Sequence, residues 1–157
     1  MKRLCLFVFA LLVAVPPAIA APAGEFLVVP GRSMGHIAIG MRLDAVESVF
    51  GRPSKVDPTG RTQWYEWKAP DNRLRSIAVE TVQNTVVLIS LAHDPRYRTR
   101  DDLGDGTTFA EVQRVLGRPS SIMRLGGFSI VQYRKNGIGF VIDGSDHVSG
   151  IVIAPGV

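Results

Sequence analysis

Val49-Phe50-Gly51-Arg52-Pro53-Ser54 decides the fold, because it returns 66 residues later as Val115-Leu116-Gly117-Arg118-Pro119-Ser120. The apolar positions before each stretch return with it at helical spacing, which predicts two short amphipathic helices. Each glycine follows the last periodic residue, where a helix end favours glycine, and the proline after it prevents the helix from resuming. A repeat of this length is typical of a structural unit that is used twice.

The two helices begin differently. Thr108 and Glu111 form a capping-box pattern before the second helix, whereas the aligned positions before the first helix are Arg42 and Ala45. A capping box satisfies two backbone N–H groups that a helix start otherwise leaves without partners. We therefore expect the second helix to be the better capped.

The apolar period after each helix changes to alternation, which predicts β-strands. The predicted strands cover residues 61–68, 74–82, 85–92, 128–135, 137–143 and 147–154. Asn136-Gly137 and Asp143-Gly144 are hairpin signals, so neighbouring strands should be antiparallel. The predicted fold class is α+β: a tandem repeat of a short helix followed by antiparallel strands, with the helices on one face of the sheet.

The N-terminal residues predict a secretory signal peptide over residues 1–20. Lys2 and Arg3 precede an apolar run, and Ala18-Ile19-Ala20 supplies the small residues that a cleavage site needs. Cys5 is the sole cysteine and lies in this segment, so the mature chain should have neither a disulfide nor a lipid-bearing cysteine. The predicted organisation continues with a first repeat (21–92), a linker (93–105) and a second repeat (106–157). We expect a periplasmic or secreted protein with no transmembrane segment after cleavage.

The charge balance argues against a nucleic-acid partner. Without Lys2 and Arg3, 16 basic residues stand against 14 acidic ones, which is not the excess that nucleic acid requires. The linker arginines, Arg96, Arg98 and Arg100, would lie on one side of an extended segment and could contact an acidic partner. Asp101, Asp102 and Asp105 lie beside them, so internal neutralisation in a solvated linker is the alternative.

Ser33 is the candidate for catalytic chemistry. Gly31-Arg32-Ser33-Met34-Gly35 matches the nucleophile elbow of hydrolases, which needs a strand before the serine and a helix directly after it. Residues 36–39 alternate like a strand instead, which favours a glycine-rich turn. The three histidines are far apart in the sequence, and Asp143-Gly144-Ser145-Asp146 resembles only a fragment of a calcium loop. The sequence therefore predicts no metal site and no cofactor.

Short motifs resemble the signature of a known superfamily. They are Gly40-Met41 with Val46 and Gly51-Arg52-Pro53, and Gly104-Asp105-Gly106-Thr107 with Ala110-Glu111-Val112 and Gly117-Arg118-Pro119. In these motifs the chain resembles the beta-lactamase inhibitory protein superfamily, which includes small barrel-assembly lipoproteins of the bacterial outer membrane. The resemblance implies helices packed on an antiparallel sheet, and two repeats that present a concave sheet to another protein.

Two departures keep the specific functions of that superfamily from transferring. The inhibitors have disulfides and the assembly lipoproteins have a lipidated cysteine, whereas this chain is expected to have neither. We therefore predict a non-catalytic protein-binding module, of envelope-assembly scaffold or inhibitor type, whose partner is another protein of the bacterial cell envelope. The alternative is a small serine hydrolase that uses Ser33.

Strand alternation predicts the binding face. Because successive side chains point to opposite sides of a sheet, Tyr65, Trp67, Val131 and Tyr133 should lie against the helices. Trp64 then lies on the other face as an aromatic anchor of the kind that often contributes most of the binding energy. The alternative is that the linker or residues 26–29 cover this face and that Trp64 is a core residue. The candidate partner-binding residues on this face are Trp64, Glu66, Lys68, Ala78, Glu80, Ile130, Gln132, Arg134 and Val141.

Overall fold

A computed structural model describes residues 24–71 and 75–157 of the 157-residue chain. The predicted signal peptide, residues 1–20, lies outside the described residues. Among those described, neither helix is long and apolar enough to cross a membrane.

An eight-stranded sheet forms the centre of the molecule, and every neighbouring pair in it is antiparallel, as the hairpin signals predict. Its strands lie in the order β4-β5-β6-β7-β12-β11-β10-β9. The strands are β4 (Lys55–Thr59), β5 (Thr62–Lys68), β6 (Ser76–Val82), β7 (Thr85–Ala92), β9 (Ser121–Leu125), β10 (Phe128–Tyr133), β11 (Ile138–Ile142) and β12 (Val148–Ile153). Pairing of β7 with β12 joins the two groups of four strands into one continuous sheet.

A smaller second sheet has the strand order β3-β2-β1-β8. Its strands are β1 (Leu27–Val29), β2 (Ser33–Met34), β3 (Ile37–Ala38) and β8 (Arg98–Thr99), and β8 pairs with β1 in parallel. The helices are α1 (Leu43–Phe50) and α2 (Phe109–Leu116), and a 3-10 turn spans Arg134–Asn136.

The core lies on one side of the large sheet. Alternate strand residues such as Trp67, Val79 and Phe140 are buried there with Val46 of α1 and Val112 of α2. We call this side the covered face and the opposite side the open face. The burial of Trp67, Tyr65, Val131 and Tyr133 agrees with the predicted alternation.

The predicted fold class is wrong. Strands account for 47% of the structure and helices for 15%, so the protein is mostly β with two sheets, not an α+β tandem repeat of helix and strands. The physical reason lies in helix length, because each helix has eight residues and buries one side chain completely, Val46 or Val112. Two such helices are too small to cover the core. Val28, Met34 and Ile37 of the small sheet belong to the same buried cluster and complete the cover.

Candidate binding surface

Trp64 lies on the open face, three residues from Trp67 on the same strand. It is partly exposed, whereas Trp67 on the covered face is 6% exposed. The register places Trp64 opposite Glu80 on β6, and Glu80 opposite Leu88 on β7. An aromatic side chain thus lies in a row that crosses the open face at right angles to the strands and begins at Asp57 on β4.

A concavity of about 740 Å³ occupies the middle of this face. Trp64, Leu88 and Val152 line one part of it, and Ile130 and Val141 line another. The small residues Ser90, Gly139 and Ala154 lie between these apolar groups, and their size accounts for the hollow. The remaining lining residues are Gln132, Arg134, Gly137, Ile138, Pro155 and Val157.

Gly139 keeps the floor of the concavity low. A Cβ atom at this position would lie 3.1 Å from the carbonyl oxygen of Val131 on the neighbouring strand. That distance is tighter than ordinary van der Waals contact, so a larger residue would push the strands apart as well as fill the hollow. The depth of the concavity therefore depends on the backbone packing of β10 against β11.

The structure brings five of the nine predicted site residues together at this concavity: Trp64, Ile130, Gln132, Arg134 and Val141. Glu66 and Glu80 lie beside them on the same face by register. Arg134 lies in the 3-10 turn rather than on a strand, and its Nε donates to Gln132 Oε1 at 3.3 Å.

Two predicted residues lie elsewhere or are hidden. Ala78 is on the open face by register but only 3% exposed, so it offers little contact area. Lys68 is exposed at a separate cleft that Phe50, Arg52 and Trp67 also line, and its backbone N–H donates to Ser54 Oγ at 3.0 Å. Lys68 is the last residue of β5 and does not line the concavity.

Sequence reasoning missed the residues that β7 and β12 contribute. Residues 86–89 of β7 are all apolar, so alternation cannot assign Leu88 to a face. The register of β6 and β7 also shifts between Glu80 and Thr81. Strict alternation counted along β7 therefore assigns residues beyond the shift to the wrong face. The cross-strand partners of Ser90 and Val152 show the face directly.

Charged residues on the open face concentrate near β4. Lys55 and Asp57 form an ion pair at 2.5 Å, with both side chains about half exposed. The hydrogen bond and charge of Asp57 raise the pKa of Lys55 above its ordinary value. With Glu66 and Glu80 on the adjoining strands, this part of the face is polar, in contrast to the apolar residues around Ile130.

The three linker arginines are not equally available. Arg96 donates to both carboxylate oxygens of Asp94, at 2.8 and 2.6 Å, and its guanidinium lies 4.6 Å from the ring centre of Phe26. Arg98 forms an ion pair with Asp102 at 3.3 Å and donates to the carbonyl oxygen of Asp105 at 3.1 Å. Arg98 therefore pairs with one of the predicted aspartates, Asp102, whereas Arg96 pairs with Asp94, which was not among them. Arg100 is exposed.

Asp94 links this segment to the core. Its side chain is 3% exposed and also lies 3.8 Å from Arg75 Nε. Burial alone would raise the pKa of Asp94, but hydrogen bonds from Arg96 and the charge of Arg75 hold it below its ordinary value. The segment that was predicted as a linker thus contains a buried, charge-compensated carboxylate.

Ser33 does not have the surroundings of a nucleophile elbow. It begins strand β2, is 7% exposed, and pairs with Val29 on one side and Ala38 on the other. Gly35, at φ 56°, turns the chain into β3, where an elbow requires a helix. The strand-turn-strand geometry agrees with the predicted turn.

The other polar motifs form turns. Asp143 accepts hydrogen bonds from the backbone N–H groups of Ser145 and His147, at 2.9 and 3.0 Å, which closes the hairpin between β11 and β12. These bonds hold the pKa of Asp143 below its ordinary value. Within residues 24–71 and 75–157, no group of three or more histidine, cysteine, aspartate or glutamate side chains is placed to hold a metal ion.

No protein-family model and no curated protein matches this chain. Among solved structures, it is similar to a cysteine-rich secretory protein from Staphylococcus aureus (TM-score 0.54, 15% identity), covering 84% of this chain and 49% of that one. It is also similar to an extracellular SCP-domain protein from Bacillus anthracis (TM-score 0.56, 10% identity), covering 91% of this chain and 50% of that one. The chain therefore spans about half the length of these neighbours. At such low identity the likeness shows the fold alone.

A third similar structure is a candidate beta-lactamase inhibitor protein from Streptococcus mutans. It has 16% identity and a TM-score of 0.33, covering 71% of this chain and 81% of that one. This TM-score is too low to establish a shared fold. None of these three neighbours is described as a barrel-assembly lipoprotein.

Proposed function

We propose that the chain is an exported, non-catalytic protein-binding module that holds its partner against the open face. The observation that carries this proposal is the concavity of about 740 Å³ with Trp64 and Ile130 in its wall. Partly exposed aromatic and aliphatic side chains around a hollow are typical of binding surfaces, because burying them in a partner removes apolar area from water.

Export is supported by the predicted signal peptide, and two of the fold neighbours are described as secretory or extracellular. A partner that meets an exported chain is another protein of the cell envelope or its surroundings. Envelope-assembly scaffold and enzyme inhibitor are both variants of this proposal. The polar residues near Glu66 and Glu80 would form the rim of the contact, and the apolar residues near Ile130 its centre.

The test is affinity capture from the cell envelope with the purified chain as bait, followed by titration of the captured protein. Trp64→Ala and Ile130→Ala should each weaken the captured interaction at least tenfold, which is about 1.4 kcal/mol. Trp64→Ala should change the free energy of unfolding by no more than about 1 kcal/mol, because its side chain lies outside the core.

The matched control is Val82→Ala, which removes an apolar side chain that is 38% exposed at the far end of β6. It should leave the affinity unchanged. If Val82→Ala weakens binding as much as Trp64→Ala does, or if neither open-face variant affects it, the concavity is not the binding site.

A further inference from the structure

The large sheet has two edges, and they differ in chemistry. The β4 edge contains Pro58, which lacks a backbone N–H, and the ion pair of Lys55 with Asp57. Proline and charged side chains are the features by which natural proteins prevent an edge strand from pairing with another chain. The β4 edge is therefore blocked.

The β9 edge is less protected, because it contains no proline and Arg124 is its one charged residue. It consists of Ser121-Ile122-Met123-Arg124-Leu125, and β10 pairs with one side of it. In the part of the chain that the structure describes, no strand pairs with its other side. An edge of this kind presents a row of backbone N–H and C=O groups to any strand of matching direction.

Large apolar side chains are exposed around β9. Ile122 is 42% exposed, Met123 56%, Leu125 41% and neighbouring Phe128 43%. Among the described residues, these are four of the eight large hydrophobic side chains that are exposed. Single exposed hydrophobic side chains are ordinary. Four of the eight lie within seven consecutive residues beside an unpaired strand edge, and such a cluster indicates an interaction surface.

We propose that β9 pairs antiparallel with β9 of a second copy of this chain, with Met123 at the two-fold axis. This register places Ser121 of each copy opposite Leu125 of the other, and Ile122 opposite Arg124. The two large sheets then continue into one another across the axis.

The self-pairing register suits the charges and the apolar groups. Arg124 is the one charged residue of β9, and it faces Ile122 rather than another arginine, so no like charges lie directly opposite each other. Its aliphatic stem can cover Ile122 while its guanidinium stays in water. Met123 meets its own counterpart at the axis, and the Leu125 and Phe128 side chains of both copies flank it on the open-face side.

The surface area that the proposed dimer buries is modest, because each copy contributes one five-residue strand and its flanking side chains. The dimer therefore belongs to the weak, concentration-dependent class. Sedimentation of the purified exported chain should show the average mass rising from monomer towards dimer between about 1 µM and 1 mM. A monomer at every concentration in this range overturns the proposal.

Met123→Glu tests the edge, because it places two carboxylates directly opposite each other at the axis. We expect the dimer to weaken at least tenfold. The matched control is Val56→Glu, since Val56 on the blocked edge is 50% exposed. It should leave the dimer unchanged, and dimerisation that Val56→Glu abolishes and Met123→Glu retains overturns the proposal.

Met123→Cys tests the register even if the glutamate variant folds poorly. Directly paired strand residues lie at the Cα separation that a disulfide needs, and the natural Cys5 lies in the predicted signal peptide. Mild oxidation should cross-link Met123→Cys into a covalent dimer. Ser121→Cys should not cross-link, because the two positions lie on the order of 13 Å apart along the paired strands. Cross-linking of Ser121→Cys in place of Met123→Cys overturns the proposed pairing.

Discussion

Helices α1 and α2 end alike but begin differently. Gly51 and Gly117 follow them at φ 75° and 76°, and each glycine N–H donates to the carbonyl four residues earlier at 2.8 Å. An aromatic residue of the sheet then donates to each glycine carbonyl, from Trp67 Nε1 at 2.9 Å and from Tyr133 Oη at 3.3 Å. Both helix ends are thus fixed from the sheet.

The helix starts differ in their side-chain caps. Thr108 Oγ1 accepts from the N–H of Glu111 at 3.2 Å, and the Glu111 carboxylate accepts from the N–H of Thr108 at 3.0 Å, so the predicted capping box is present. Arg42 makes no side-chain cap. Both helix starts also contact a hairpin turn, because the N–H of Leu43 donates to the carbonyl of Asn84 and the N–H of Phe109 donates to the carbonyl of Asp146, each at 2.9 Å. The start of α2 therefore has a capping box in addition to its turn contact, whereas the start of α1 has the turn contact without a capping box.

The largest effect should come from Trp67→Ala. The substitution removes a buried indole and its hydrogen bond to Gly51, so we expect the free energy of unfolding to fall by about 3–5 kcal/mol. Chemical denaturation measures the change, and Trp64→Ala on the same strand is the control. A loss of less than about 1 kcal/mol would mean that the sheet does not determine where α1 ends.

Replacing either glycine by alanine should cost on the order of 1–3 kcal/mol. Gly51 and Gly117 have ψ of −161° and −151°, a backbone region that is almost restricted to glycine. No heavy atom lies within 4 Å of a Cβ built at either position, so backbone strain alone sets the cost and the two losses should be similar.

The control for both glycines is Gly127→Ala, which has open space and no positive φ. Thermal unfolding of the three variants makes the comparison. Clearly unequal losses at Gly51 and Gly117 would show that the two helix ends are not equivalent.

Thr108→Ala should cost about 1 kcal/mol, because it removes the hydroxyl that caps α2. The matched substitution Arg42→Ala should change stability by less than about 0.5 kcal/mol, since Arg42 caps no N–H of α1. Denaturant titration of both variants measures the difference. Equal losses would remove the distinction between the two helix starts.

The smallest effect should appear in acid. Hydrogen bonds from the backbone and side chain of Thr108 hold the pKa of Glu111 below its ordinary value of 4.5. A carboxylate whose pKa is lower in the folded state stabilises the fold above the unfolded-state pKa, and this stabilisation is lost as the pH falls through the folded-state pKa. Stability profiles of wild type and Glu111→Gln should therefore converge as the pH falls below 4.5, the ordinary pKa. A difference that stays constant as the pH is lowered further would contradict the assignment.

Sequence periodicity predicted the long strands well and the short ones poorly. Six strands of the large sheet carry enough alternating residues to be recognised. Pro58 disguises β4, and exposed apolar residues on both sides of β9 obscure its alternation. Strands of two residues, such as Ser33–Met34 and Arg98–Thr99, have no period to detect because their pairing partners define them. The fold class was wrong because sequence periodicity does not show how much of a core a second sheet covers.

The sequence predicted the candidate site residues where strict alternation of side chains along a strand decides which face they occupy. Trp64 and Ile130 lie on regular strands, so alternation placed them on the open face correctly. Leu88 lies next to a register shift, and Ala78 is buried although alternation places it on the open face. The face of Leu88 and the burial of Ala78 depend on how the strands pair, and no local sequence pattern indicates either of them.

Pro58 on β4 limits how far sheets of this kind can extend. A sheet with two bare edges can add one copy at each end and grow into a filament of indefinite length. With β4 blocked, an addition at β9 leaves a blocked edge at both outer ends, and growth stops. In the proposed dimer, Pro58 and the Lys55–Asp57 ion pair at the far side of the sheet thus limit assembly to a closed pair.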